Sequence, residues 1–262
     1  LSSLAKNSIQ TFLTIAIKIT QGLVAIHKAK VVHRDIKPSN VIYNPSTRQL
    51  RIIDFGTATF LAEDNNTSTT TTTIDNSPQK EMFTASFTPA FMSPEQTGKL
   101  SRCQIDARSD LYSLGATLYQ VLCGSPPFIA ADTSGYMHCH LAIEPIPPIK
   151  KLLLLNNKQT HATSDTIESI LIEHTELPPP VVLVMISNII LKLMQKNPDD
   201  RYQTSSGLLY DLQKCALMLE DCDTNLSCTT RTVQVFPLAQ FDFAERFRMP
   251  NRLLGRDVEI SR

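Results

Sequence analysis

Four polar side chains in one short stretch of the chain could together carry out phosphate chemistry: Asp35, Lys37, Asn40 and Asp54. Asp35 is a candidate proton acceptor, and Lys37 supplies a positive charge close to it. Asn40 and Asp54 offer oxygen atoms, which are the ligands that Mg²⁺ prefers. Phosphoryl transfer needs positioning and charge neutralisation more than covalent help. The residue types and their spacing therefore indicate a phosphate-transfer site.

Short apolar runs on either side of these residues must hold them in place. Val31–Val32 predict a short strand that leads into the polar loop 33–40. Residues 41–43 and 50–53 predict two further strands, joined by a turn at 44–47 that is rich in turn-forming residues. The sequence thus predicts a small hairpin directly after the loop.

A proline in the loop and a glycine after the hairpin predict the local backbone conformation. Pro38 excludes a regular hydrogen-bond ladder and biases Lys37 towards an extended backbone. Gly56, which follows Asp54 closely, predicts a reversal of the chain, because glycine adopts conformations closed to other residues. Asp54 is therefore expected in a tight turn.

The sequence HRDIKPSN at 33–40, followed by DFG at 54–56, resembles the catalytic and metal-binding loops of eukaryotic-type Ser/Thr protein kinases. The lysine two positions after the aspartate is the form typical of Ser/Thr-specific members. The resemblance implies an α+β, protein-kinase-like fold. Its large C-terminal lobe would be mainly α-helical, with small β-hairpins at the two loops.

The resemblance implies a role in phosphate transfer from ATP for each residue of the stretch. Asp35 would orient the substrate hydroxyl and accept its proton, and Lys37 would stabilise the γ-phosphate. Asn40 and Asp54 would hold Mg²⁺, and Ile42 would pack under the adenine. The implied substrate is a Ser or Thr side chain of a protein.

A second set of residues would support the site structurally. These residues are His33, Arg34, Phe55, Gly56, Glu95, Asp110 and Arg201. His33 and Phe55 would stack in a hydrophobic spine, and Asp110 would brace the backbone of the catalytic loop. Arg201 would pair with Glu95 at the end of the activation segment.

The activation segment is expected at 57–92 and contains a low-complexity Thr-rich tract within an insert at 62–82. We interpret this insert as disordered rather than as a phosphorylated switch. Thr88 matches the family threonine that contacts the catalytic aspartate and helps to hold the peptide hydroxyl. Phe87, directly before it, stands where the family usually has glycine.

Apolar residues recur at helical spacing in several other segments of the chain. The predicted helices cover 7–29, 107–124, 133–143, 181–195 and 204–220. The helix at 107–124 resembles the central helix of the kinase large lobe. Residues 144–179 break the pattern with prolines and a polar stretch, and they predict a surface insert with a marginal helix near 164–174.

The expected domain division is a kinase C-lobe at 1–220, a linker at 221–250 and the start of an AAA-type ATPase module at 251–262. Together with the kinase signatures, the sequence LLGRDVEI within that last segment resembles large multidomain signalling proteins. Those proteins join a kinase-like domain to an ATPase module and a sensor histidine kinase. The resemblance implies that these modules are partners in the same chain.

The composition bears on nucleic-acid binding, membrane insertion, disulfides and metal binding. Lys+Arg and Asp+Glu both number 25, so no global field favours nucleic acid. We expect no membrane span, because the apolar stretch near the start has a helical period and internal polar residues. The six cysteines show no metal-binding or disulfide pattern, and a reducing, cytoplasmic location is expected. The neighbouring His138 and His140 predict ordinary helix residues rather than metal ligands.

The sequence contains no G-x-G-x-x-G loop and no V-A-I-K strand, both of which a kinase needs in its small lobe. The small lobe is therefore expected to lie before Leu1, and the chain would supply one wall of the nucleotide cleft. Two hypotheses stay open. The chain is either the large lobe of an active Ser/Thr kinase or a catalytically inactive kinase-like module that regulates the attached ATPase and histidine kinase.

Overall fold

A computed structural model of the chain describes residues 2–60, 88–100, 104–157, 181–224 and 235–243. The helices in these ranges are α1 (Ser2–Lys28), α2 (Ala107–Cys123), α3 (Thr133–Ala142), α4 (Pro148–Asn157), α5 (Val181–Leu193) and α6 (Ser205–Thr224). The strands are β1 (Val31–Val32), β2 (Val41–Asn44), β3 (Gln49–Ile52) and β4 (Thr59–Phe60). Short 3₁₀ turns lie at Pro38–Asn40, Pro89–Phe91, Pro94–Thr97 and Pro198–Asp200. The predicted α+β class, mainly helical with small hairpins, is confirmed.

The strands form antiparallel pairs around the predicted loops. β2 pairs with β3, with Val41 opposite Ile52 and Tyr43 opposite Leu50. β1 pairs with β4, so the residues that follow DFG return to the start of the catalytic loop. The two pairs hold the loop 33–40 and the turn at 53–58 side by side.

Helix α2 is the centre of the hydrophobic core. Asp106 caps its first turn by accepting from Arg108 N at 2.8 Å, and Gly124 ends it in the left-handed conformation with φ of 74°. Gly115 lets α5 approach closely, because a Cβ there would lie 2.8 Å from Leu193 Cβ. The buried face of α2 thus fixes the position of its own first turn, which carries Asp110.

Helix α1 packs along α6 and against α2. Its segment Ile9–Lys28 is long and apolar enough, by length and composition, to cross a membrane. Leu13, Ile19 and Leu23 on this helix are nevertheless fully buried against the rest of the protein. We therefore interpret α1 as a core helix, since such helices pass the same test.

Two predictions about the surface need correction. Residues 148–157, expected in a surface insert, form α4, which packs against α2 and α5 with Leu152 facing the core. Pro148 starts this helix, where its missing N–H has no cost. The helix predicted near 164–174 lies outside the described residues. Residues 235–243, expected in the linker, instead pack against α6.

His140 is buried in α3 beneath the end of the activation segment. Its Nδ1 lies 2.9 Å from the Tyr112 hydroxyl, and its ring meets Phe128 edge-on. Burial lowers the pKa of His140 to about 4, and the nearby Lys196 ammonium acts in the same direction. The unfolded chain therefore takes up this proton first as the pH falls.

We expect the free energy of unfolding to fall by about 3 kcal/mol as the pH drops from about 6.5 to about 4, owing to His140 alone. Urea denaturation at pH 7.5 and 4.5 measures this loss. A His140→Asn variant should lose less stability over the same interval. His138→Asn removes an exposed histidine of the same helix and should leave the wild-type loss intact. Equal pH dependence in all three proteins would contradict the prediction.

Candidate active site

Asp110 holds the backbone of the catalytic loop from below. Its buried carboxylate accepts from His33 N at 2.9 Å and from Arg34 N at 2.7 Å. Arg34 has φ of 69°, a left-handed conformation that a non-glycine residue rarely adopts. The two bonds to Asp110 stabilise this conformation, so the first turn of α2 determines the path of the loop before Asp35.

Asp35 is almost buried, with 8% of its surface exposed, and its carboxylate is held on one side. Asn40 Nδ2 donates to Asp35 Oδ2 at 3.0 Å and to the Asp35 carbonyl at 2.9 Å. Lys37 Nζ lies 2.6 Å from the same Oδ2. Among the described residues, neither of these side chains binds the second oxygen, Oδ1, which could therefore accept a proton.

Lys37 has the extended backbone that Pro38 predicts, with φ of −152° and ψ of 163°. Its ammonium reaches beyond Asp35 and donates to Thr88 Oγ1 at 2.7 Å. The structure thus links Thr88 to Asp35 through Lys37, where the resemblance implies a direct contact. Three groups that could handle a phosphate and a hydroxyl converge at this point.

Asn40 and Asp54 lie on adjoining backbone segments. Ile53 N donates to the Asn40 carbonyl at 2.9 Å, which joins the start of the DFG turn to the catalytic loop. Within the described part of the chain, both side-chain bonds of Asn40 use its nitrogen, so its amide oxygen could bind a cation. The exposed Asp54 adds a carboxylate. These two oxygen donors fit Mg²⁺, which completes its shell with phosphate oxygens and water.

The backbone reversal falls on a different residue from the one that the sequence predicts. Asp54 is left-handed, with φ of 66°, whereas the positive-φ glycines among the described residues are Gly98 and Gly124. Aspartate tolerates this conformation because its side chain can hydrogen-bond locally. Here Asp54 Oδ1 accepts from Gly56 N at 3.4 Å. The reversal aims the Asp54 carboxylate, while Gly56 leaves room for it.

His33 and Phe55 are in contact, with ring centroids 4.7 Å apart and ring planes tilted by 57°. His33 Nε2 donates to the Ile53 carbonyl at 3.0 Å, and Thr57 Oγ1 donates to the His33 carbonyl at 3.0 Å. These bonds fasten the DFG turn to the catalytic loop. Phe55 and Ile42 are about half exposed, so both present apolar surface to the solvent.

Glu95 and Arg201 form a buried, bidentate ion pair. Arg201 Nη1 donates to Glu95 Oε1 at 2.8 Å and Nη2 to Oε2 at 2.9 Å. Ser109 Oγ donates to Glu95 Oε1 at 2.7 Å, and the guanidinium also donates to backbone carbonyls, including Gln195 O at 2.7 Å. The charges are therefore fully hydrogen-bonded, which buried ions require. The pair ties the end of the activation segment to the loop before α6.

Two further residues, His27 and Gln96, position the site and are not among the predicted site residues. His27 Nε2 lies 2.9 Å from Asp110 Oδ2. It follows the buried Leu23 by four positions, so the helical period could have placed it on the inner face of α1. Gln96 Nε2 donates to the Arg34 carbonyl at 2.7 Å, and its Oε1 accepts from Ser93 N at 2.8 Å. The spacing Ser93-x-x-Gln96 is that of a capping box, a local pattern that could have marked Gln96.

Other metal centres find no support in the part of the chain that the structure describes. There, no three His, Cys, Asp or Glu side chains lie together in a way that could hold a metal ion. Phe87, the Thr-rich tract and residues 251–262 lie outside the described residues.

Comparisons with known proteins agree with this geometry. A family model described as "Protein kinase domain" matches residues 3–210. The chain is 30% identical over 192 residues to serine/threonine-protein kinase PknB of Mycolicibacterium smegmatis, covering 73% of this chain and 24% of that protein. It is 31% identical over 192 residues to PknB of Mycobacterium tuberculosis, with the same coverage of each chain.

A probable serine/threonine-protein kinase of Corynebacterium efficiens is 29% identical over 201 residues, covering 76% of this chain and 24% of the relative. The chain thus spans about a quarter of the length of the curated relatives that it matches. The match of the family model to residues 3–210 covers most of the chain and includes each candidate site residue named above. The chain belongs to the protein kinase domain family.

Proposed function

We propose that the chain is the catalytic large lobe of a Ser/Thr protein kinase, which transfers the γ-phosphate of ATP to Ser or Thr hydroxyls of a protein. The observation that carries this proposal is the arrangement around Asp35. Its carboxylate is fixed by Asn40 and Lys37, with Thr88 on the far side of the lysine. Relatives named as serine/threonine-protein kinases support the choice of acceptor.

The chain's own residues account for the steps of the transfer. Asp35 Oδ1 accepts a hydrogen bond from the substrate hydroxyl and orients its oxygen towards the γ-phosphorus. A bond forms between that oxygen and phosphorus while the bond to the β–γ bridging oxygen breaks, and ADP leaves. The hydroxyl proton passes to Asp35. Lys37 stays close enough to Asp35 and Thr88 to stabilise the transferred phosphate.

Asn40 and Asp54 would hold Mg²⁺ through the amide oxygen and the carboxylate. When bound, the ion neutralises the charge of the phosphates. Ile42 would provide apolar contact to the base. These residues are proposed to form one wall of the nucleotide cleft, and the opposite wall is proposed to come from a kinase small lobe of the natural full-length protein. An ATPase module and a histidine kinase are proposed partners in the same protein.

The proposed cellular location is the cytoplasm, where ATP is available. The cysteines that the structure describes in the core, Cys123 and Cys215, are free thiols. Burial raises the pKa of the Cys123 thiol to about 11 and that of Cys215 to about 12, which keeps both protonated and unreactive. The thiols are compatible with a reducing compartment.

The function is tested with the natural full-length protein, ATP labelled with ³²P at the γ position, and a basic protein as acceptor. Label should appear on the acceptor with Mg²⁺ and vanish with EDTA. An Asp54→Asn variant should need more Mg²⁺ for half-maximal rate and lose about 10²-fold in rate, because it removes the charged ligand. Glu220→Gln removes an exposed carboxylate on α6 and should behave as wild type. A wild-type Mg²⁺ dependence in Asp54→Asn would refute the assignment of this ligand.

A further inference from the structure

Residues 235–243 lie beyond the kinase match and form a segment, here named the strap, that packs back onto α6. Phe236 is 7% exposed and belongs to the hydrophobic core. The Lys214 ammonium lies 4.1 Å from the centre of its ring. The Tyr210 and Phe241 rings lie 4.6 Å apart. The strap is therefore anchored by apolar contacts at both of its ends.

Asp242 binds the start of α6 with both carboxylate oxygens. Oδ2 accepts from Gln203 N at 2.6 Å, and Oδ1 accepts from Thr204 N at 2.8 Å and Thr204 Oγ1 at 2.6 Å. The Thr204 hydroxyl in turn accepts from Gly207 N at 2.9 Å, which caps the helix. Asp242 thus fixes the residue that caps α6.

Other residues of the strap also contact α6 closely. Ala239 N donates to Asp211 Oδ2 at 2.8 Å, and the buried Asp211 accepts from the Tyr202 hydroxyl through the same oxygen at 2.7 Å. A Cβ at Gly207 would lie 2.5 Å from Asp242 Cβ. Glycine inside a helix costs about 1 kcal/mol relative to alanine. Gly207 is the residue that allows the strap to approach.

The start of α6 is connected to the catalytic loop by a short series of contacts. Ser205, the first residue of α6, has its Oγ 3.2 Å from His27 Nδ1. His27 Nε2 lies 2.9 Å from Asp110 Oδ2, the oxygen that also accepts from His33 N. Asp242 therefore holds the backbone next to Ser205, and Ser205 reaches Asp110 through one side chain.

We propose that Asp242 is a positioning residue: the strap 235–243 closes the kinase domain at the start of α6 and, through Ser205 and His27, steadies Asp110 and the catalytic loop. The effect on phosphate transfer rests on the proposed function, whereas the effect on the loop does not.

The test is amide hydrogen exchange in the full 262-residue chain. Asp242→Ala should exchange about fivefold faster at 203–207, which corresponds to the loss of a helix cap. It should also exchange faster at His33 and Arg34, whose N–H groups donate to Asp110, while amides in the core of α2 stay unchanged. Asp242→Asn keeps one acceptor oxygen, so its exchange rates at these amides should lie between those of wild type and Asp242→Ala.

Asp132→Ala is the matched control, because it removes the carboxylate that caps α3 by accepting from Gly135 N. It should speed exchange in α3 and leave residues 33–34 and 203–207 unchanged. Unchanged exchange at 203–207 in Asp242→Ala would show that the strap is not bound. Faster exchange at 203–207 with wild-type exchange at 33–34 would reduce Asp242 to a local cap and overturn the positioning role.

The Gly207→Ala variant tests the proposal while keeping Asp242. The direction in which its thermal midpoint changes decides the outcome. If the strap is bound as described, the added methyl group pushes it away, and the thermal midpoint should fall by several degrees. If the strap is not bound, alanine favours the helix and the midpoint should rise, which would overturn the proposal.

Phosphate transfer separates this proposal from the proposed function. If the wild-type full-length protein transfers phosphate, Asp242→Ala should lower the rate and Asp242→Asn should restore part of it. If the wild-type protein transfers none, the proposed function fails, and the exchange results still decide whether the strap positions the loop.

Discussion

The Asp35→Asn variant of the natural full-length protein is expected to bind Mg·ATP nearly as well as wild type but to transfer phosphate about 10³-fold more slowly. An amide can accept the bonds from Lys37 and Asn40 through its oxygen. It cannot take up the proton of the substrate hydroxyl. The loss should therefore appear in kcat, with little change in KM for ATP.

Steady-state kinetics with γ-labelled ATP measure the two constants separately. Asp200→Asn makes the same chemical change at an exposed carboxylate and should leave kcat unchanged. A large rise in KM with an unaltered kcat would mean that Asp35 binds substrate without acting on its proton.

Removing Arg201 is expected to lower the free energy of unfolding by about 3–5 kcal/mol, because Glu95 would remain as a buried carboxylate without its partner. Arg201 is 2% exposed, and its guanidinium binds both carboxylate oxygens of Glu95. The Arg201→Met variant, studied by urea denaturation, measures this cost. The double variant with Glu95→Gln should recover part of it, since the stranded charge is then gone.

Asp199 supplies the comparison for this prediction. It pairs with Arg108 at 2.6 Å, but its side chain is 70% exposed. Asp199→Asn should cost no more than about 1 kcal/mol, as is usual for surface pairs. If Arg201→Met cost as little as Asp199→Asn, the buried pair could not be what ties the activation segment to the loop before α6.

The catalytic loop could be predicted from the sequence because the chemistry depends on a few residue types at fixed spacing. Its supports, Asp110, Glu95 and Arg201, are predicted only through the resemblance to protein kinases. Pro38 alone predicts the extended backbone of Lys37, and the apolar pattern around Asp110 predicts a buried helix. The left-handed residue of the DFG turn could not be placed in this way. Both Asp54 and Gly56 can support a reversal, and the structure places it at Asp54.

The strap and helix α4 could not be predicted for a different reason. The bonds of Asp242 join residues nearly forty positions apart, and no periodicity in 235–243 marks a partner. Helix α4 is a short apolar segment between prolines and a polar stretch, so its helical pattern is hard to recognise in the sequence. Packing on α2 and α5 stabilises this helix. Tertiary contacts determine both segments, and local preference does not.

The most direct test of the central claim is the transfer of the γ-phosphate to hydroxyl groups of a protein. The natural full-length protein is incubated with Mg²⁺, γ-labelled ATP and a basic acceptor protein, in parallel with its Asp35→Ala variant, and the labelled amino acids are identified. We predict phosphoserine and phosphothreonine with the wild type and a signal lower by several orders of magnitude with the variant. Equal labelling by the two proteins, or no labelling by the wild type, would contradict the proposal that this lobe is catalytic.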